Sequence, residues 1–188
     1  YRSFGLMLQN LGDVGRDVTP LKNYDYKKLS AWFFLLHGLD PLSDHVPMTA
    51  AYYFGATKVP KDAAEIVRYL RVAGEVRAEG KWRWLAHAAY LARHRMNDPD
   101  LALDIAYELQ RQSQEGVAMP QWARAMPAFI LAGRGEREAA KAFMSNLLVT
   151  DSTPHPEEVT FMKSFLTDQL GVPAQEVESL ARMRGDDV

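Results

Sequence analysis

The chain contains no cysteine. That excludes disulfides and thiolate metal ligation, and it suits a reducing or an oxidising compartment equally. Long apolar runs are missing too. The longest candidate, Ala31 to Leu36, falls far short of the roughly 18 residues that a bilayer-spanning helix needs. Neither sign of charge dominates: 22 Lys and Arg stand against 24 Asp and Glu, for a net charge of -2. Nothing in that balance attracts nucleic acid or anionic lipid as a whole. No GxxxxGK[ST] or GxGxxG phosphate loop occurs, and no GxSxG elbow accompanies the serines and histidines. What remains is ordinary globular usage, 47% hydrophobic and 24% charged over 188 residues. That is enough for one domain with a sizeable core, or for a short solenoid.

The positive pattern is helical throughout, and Trp82 to Leu109 shows it best. Trp84, Ala88 and Leu91 recur on one helical face, Asn97-Asp98-Pro99 interrupts, and Leu101, Ala102, Ile105, Ala106 and Leu109 mark a second face. Small residues at Ala88, Ala89, Ala102 and Ala106 let the two backbones approach closely. Further helices are expected at Ser3–Leu11, from Asp25 or Tyr26 to Leu39, and at 46–56, 63–72, 121–132, 136–148, 157–170 and 174–183. Pro47 falls in a first turn, where its missing N–H is harmless. Pro127 falls inside a helix and should kink it. Asp13 to Asn23 is rich in turn formers and reads as a loop, and Gly185 to Val188 reads as a frayed tail.

The helices pair, and the pairs repeat. Phe4, Pro47, Trp84 and Trp122 open successive units at spacings of 43, 37 and 38 residues. Seven residues after each stands Leu11, Phe54, Leu91 or Phe129. The second helices align on Ala31, Ala63, Ala102 and Ala139, followed four residues later by Leu35, Val67, Ala106 and Phe143. A two-helix unit returning every 35 to 45 residues is the mark of an α-solenoid. With Leu39-Asp40-Pro41 as a repeat-closing motif, and Trp84, Ala88, Leu91 and Ala102 near the aromatic, small, large and small positions, the pattern resembles the tetratricopeptide repeat (TPR). It departs from that family's 34-residue period and carries a long insert at Asp13–Asn23. The resemblance implies an all-α fold of stacked antiparallel helix pairs in a short right-handed solenoid. Residues 1–150 would form the repeats, and 151–188 two capping helices of the same domain. It also implies a groove that holds other proteins.

No chemistry competes with that reading. His87 and His94 lie seven apart without a third ligand, which makes a poor metal site. Glu75 and Glu79 sit among solvated charges. Residues 61–100 carry eight bases against six acids, too weak a footprint for RNA. The tail from 151 to 188 carries eight acids against three bases. Aromatic runs say more: Trp32-Phe33-Phe34 and Tyr52-Tyr53-Phe54 span about 200° of a helix, so each must face two neighbours or expose a ring. Counting from the repeat anchors gives an apolar groove lined by His45, Met48, Tyr52, Trp82, Leu85 and Ala89, continuing to Pro120, Ala123 and Pro127. The expectation is a non-enzymatic scaffold that holds an apolar or amphipathic helix or peptide. It needs no cofactor, metal, nucleic acid or small-molecule substrate. The alternatives are a structural accessory subunit of a larger assembly, including a membrane-attached one, and an unusual all-helical enzyme. The terminal helix, through Phe161, Phe165 and Leu170, is a competing occupant of the groove. A start at Tyr1 rather than Met leads us to expect processing upstream, as in an exported or membrane-anchored bacterial protein.

Overall fold

The computed structural model describes residues 23–150 and 155–183. The expected helix at Ser3–Leu11, most of the Asp13–Asn23 loop and the tail after Met183 lie outside the described residues. Among those described, ten α-helices occur and no strand. No described helix is long and apolar enough to cross a membrane. The chain divides into two compact units between Ala118 and Met119.

In unit 1, α1 (Tyr26–Leu39) starts where the sequence signals it, with Asp25 accepting a hydrogen bond from the Lys28 amide at 3.1 Å. Next comes α2 (His45–Met48), which runs on through a π turn at Thr49–Tyr53 and a 3₁₀ turn at Phe54–Ala56. The helix expected over 46–56 is therefore present but irregular. The Thr49 hydroxyl donates back to the His45 carbonyl at 2.9 Å at the start of the widened turn. The unit continues with α3 (Pro60–Glu75), α4 (Trp82–His94) and α5 (Pro99–Gln114). The stop between α4 and α5 is local chemistry. Asn97 adopts a left-handed φ of 55°, Asp98 caps the Leu101 amide at 2.9 Å, and Pro99 sits in the first turn.

Helix α4 is the centre of this unit, packed against both α3 and α5. Trp84, Leu85, Ala88, Ala89, Leu91 and Ala92 are all buried on it. The small residues admit close neighbours, as the spacing implies. At the α3–α4 crossing, Gly74 lies hard against the Leu85 backbone. At the opposite end of the unit, Phe33 packs between Phe54 and Tyr69, with centroids 5.7 and 5.2 Å away.

Unit 2 holds α6 (Gln121–Arg124), α7 (Met126–Gly133), α8 (Arg137–Thr150), α9 (Pro156–Ser164) with a π turn at Phe165–Gln169, and α10 (Ala174–Met183). The kink expected at Pro127 is a full break. The helix stops at Ala125, and Pro127 enters the first turn of a new one, where it leaves no carbonyl short of a donor. Phe129 packs against Phe161 and Phe165 at 5.8 and 5.1 Å. Those two rings thus pack on Phe129 within unit 2, with Phe161 still 42% exposed. Trp122, aligned above with Trp84, is 47% exposed where Trp84 is 2% exposed. The two tryptophans are not packing equivalents.

Candidate functional site

Helix α4 buries residues toward two neighbours and turns one narrow face outward. That face is Arg83, His87, Tyr90 and His94, at steps of four, three and four residues. On the His45–Ala56 helical run the outward positions include Met48 and Tyr52, again four apart. Tyr52 (65% exposed) stands edge-on to His87 with centroids 4.7 Å apart. His87 and Tyr90 follow at 6.1 Å, then Tyr90 (51% exposed) and His94 at 4.7 Å. Four rings thus form one continuous stripe across two helices of unit 1. Burial holds His87 below the ordinary imidazole range, so its ring is neutral at pH 7. A neutral imidazole between two phenols is an apolar surface with polar edges, the kind of surface that partners bury.

Met48 also belongs to a cavity of about 660 Å³ that it shares with Asp40, Leu42, Ser43, Asp44 and His45. The His45 Nε2 is buried there and has no hydrogen-bond partner among the described atoms. The wall of this cavity is pinned from below by Lys81, which is almost fully buried. Its ammonium donates to the Leu42 carbonyl at 2.6 Å, the Ser43 carbonyl at 3.1 Å and the Asp44 carboxylate at 2.9 Å. Asp44 also accepts from the Trp84 indole at 3.1 Å and from Arg83. Ser43-Asp44 is expected to cap its own helix. Ser43 does so, its hydroxyl accepting from the His45 amide at 3.3 Å, but the Asp44 side chain makes no cap bond and binds the beginning of α4. Three donors outbid one local amide.

Partial burial alone would raise the Asp44 pKa. The hydrogen bonds from Lys81 and Trp84 and the charges of Lys81 and Arg83 outweigh it, and the carboxyl is held below its ordinary 3.8. The folded state therefore binds this proton more weakly than the unfolded chain does. The stabilisation is complete above the ordinary value and is lost as pH falls through the lower folded value. Asp44→Asn should accordingly melt below the parent chain at pH 7. The gap should close below pH 3.8 as the parent carboxyl protonates. Thermal melts in steps from pH 7 to pH 2 check this, and a gap that stays constant with pH would refute the charge network.

A second depression, of about 320 Å³, lies beside Arg68, Arg71 and Val72. Its cations are already engaged: Arg71 with Glu108 and Asp104, Arg68 with Glu65, Ser30 and the face of Phe34. The ring stripe is the stronger candidate because its edges are not used up in this way.

The positions counted from the repeat anchors divide. His45, Met48 and Tyr52 come together at the cavity and the stripe. Trp82 is half-buried at the start of α4. Leu85 and Ala89 are a correction: they are 0% and 1% exposed, packed into the core and closed to a partner. Ala123 and Pro127, in unit 2, are buried as well. The physical reason is that α4 lies between two helices, so its open face is narrow and falls two to five residues later. Tyr90 was missed altogether, although its position three after His87 and four before His94 was the available signal. Among the described residues no group of three or more His, Asp or Glu is placed to hold a metal ion. No family model matches the chain, and neither a curated protein nor a solved structure matches it.

Proposed function

We propose that this protein is a non-enzymatic interaction module, TPR-like in build, whose helix pairs stack as a short right-handed solenoid. It holds an apolar or amphipathic helix or peptide of another protein against Met48, Tyr52, His87, Tyr90 and His94. The observation that carries this reading is the unbroken ring stripe, with its two tyrosines more than half exposed. Scattered surface apolars need no explanation, but a contiguous aromatic set is what binding surfaces are made of. The adjoining cavity offers room for one side chain of the partner beside Met48.

Tyr52→Ser and Tyr90→Ser test the reading directly. Both sites are exposed, so far-UV circular dichroism and melting temperature should stay at parent values. Affinity capture from native extract should lose the same co-purifying protein with either variant, because hot-spot truncation costs upward of about 2 kcal/mol, some thirtyfold in affinity. Capture unchanged in both variants would refute the assignment of this surface.

A further inference from the structure

Helix α1 is apolar nearly all round, and only one of its faces is buried. Leu29, Phe33 and Leu36 are buried, while Trp32, Leu35 and Leu39 stand 48%, 54% and 52% exposed. Ala31 and Gly38 are exposed between them. These residues share one face, at steps of one and three residues on either side of Leu35. A helix of that composition normally has neighbours on both sides. Exposed leucines scattered singly need no account, but a contiguous ridge on one helix does. Gly38 lies inside α1, where glycine weakens a helix. A Cβ built on it would meet no atom within 4 Å, so nothing packed on it requires the small residue.

We propose that this face pairs with the same face of a second copy of the chain, as an antiparallel, two-fold symmetric helix pair centred on Leu35. The inference stands apart from the ring stripe, which lies on α4 and the His45–Ala56 run. Two observations favour a second copy as the occupant. The first is shape. A two-fold axis at Leu35 sets each residue of one copy opposite the residue equally far along in the other direction. Trp32 then falls opposite Gly38, Leu39 opposite Ala31, and Leu35 opposite itself. The largest side chains of the face meet the smallest, which is how a ridge enters a groove. The second is charge. Exposed Lys27 and Lys28 outnumber Asp25 at the start of α1, while Asp40 follows its end. The antiparallel pair carries both lysines to Asp40 and the last carbonyls of the other copy, and it opposes the two helix dipoles. A parallel pair would set lysine against lysine. Three large side chains and their neighbours on each copy make an interface at or below about 1,200 Å² in total, the class of weak, reversible association.

Sedimentation equilibrium tests the pairing directly. Up to about 100 µM, where micromolar association is nearly saturated, the parent chain should approach twice its monomer mass. Leu35→Asp and Gly38→Leu should each stay monomeric with parent helicity, since both positions are exposed. Gly38→Leu is the sharper variant. It adds apolar surface, which would strengthen unspecific association, but it fills the space that Trp32 of the second copy needs. Val72→Asp, at an exposed position of α3, should remain as dimeric as the parent. Orientation is read separately, because the chain has no cysteine of its own. Leu35→Cys lies on the axis and should oxidise to a linked dimer about tenfold faster or more than Lys28→Cys, whose two copies would lie roughly 21 Å apart. A parent chain that stays monomeric throughout would overturn the proposal. So would a dimer that either Leu35→Asp or Gly38→Leu leaves intact, or one that Val72→Asp abolishes equally. Equal linking of the two cysteine variants would refute the antiparallel arrangement.

Discussion

Trp84→Ala is expected to destabilise unit 1 by about 3–5 kcal/mol, the usual range for removing a buried tryptophan. Three losses combine there. The indole is 2% exposed, so its removal leaves a cavity beside the start of α4. Its N–H donates to Asp44 at 3.1 Å, and that carboxylate also holds Lys81 and Arg83. The Arg83 guanidinium lies 4.8 Å from the ring centre and loses its platform. Against a typical total of about 5–15 kcal/mol, the variant stands near unfolding at 37 °C. Trp84→Phe narrows the contributions, because it keeps an aromatic ring in the core while it removes the donor and part of the indole's volume. It should lose about 1–2 kcal/mol. Trp122→Ala, aligned with Trp84 in the repeat but 47% exposed, should lose less than about 1 kcal/mol. Urea unfolding of the three variants decides the matter. Equal losses for Trp84→Ala and Trp122→Ala would mean that the two positions are equivalent after all.

That contrast marks where the sequence was legible. Signals that act within one turn read correctly: the helix start at Asp25 or Tyr26, the Asn97-Asp98-Pro99 break, and Pro47 in a first turn. Their free energies belong to the local chain, whatever packs on it. The all-α class followed from the same periodicity. Phase between helices was harder. Aligning Trp122 with Trp84 matched residue types, but which face is covered depends on neighbours, and α4 has one on either side. Counting a groove from those anchors therefore led to Leu85 and Ala89, which are core, and bypassed Tyr90. The π turn at Thr49–Tyr53 shifts phase again by adding a residue to one turn. Asp44 was unreadable for a related reason. As a helix-start aspartate it has a local use, and only the fold brings Lys81, Arg83 and Trp84 around it as competitors. Tyr52 is 65% exposed and meets His87 of α4 edge-on.

Gly74→Ala should destabilise the protein, although alanine is favoured over glycine inside helices by about 1 kcal/mol. The reason is the α3–α4 crossing. A Cβ at this position would lie 2.6 Å from the Leu85 amide nitrogen and 2.6 Å from its Cγ. Leu85 is 0% exposed, and its backbone nitrogen cannot move unless α4 moves with it. Overpacking of this kind costs about 1–3 kcal/mol, occasionally more. Separating the helices also stretches a buried contact, because the Gly74 carbonyl accepts from the Gln112 side chain of α5 at 2.9 Å. That bond adds about 1 kcal/mol to the loss. Set against the propensity gain, the expected net loss is about 1–3 kcal/mol, or roughly 2–12 °C in melting temperature for a chain of this size. Gly55→Ala is the matched control. Its Cβ would meet the Leu91 methyls at 3.1 and 3.4 Å, the far end of a side chain, and the Ala50 carbonyl only at 3.4 Å. It should change the melting temperature by no more than about 2 °C, on the order of 0.5 kcal/mol. Gly74→Ala at or above the parent melting temperature would show that α3 and α4 do not approach this closely. The small residues along α4 would then need another explanation than close helix packing.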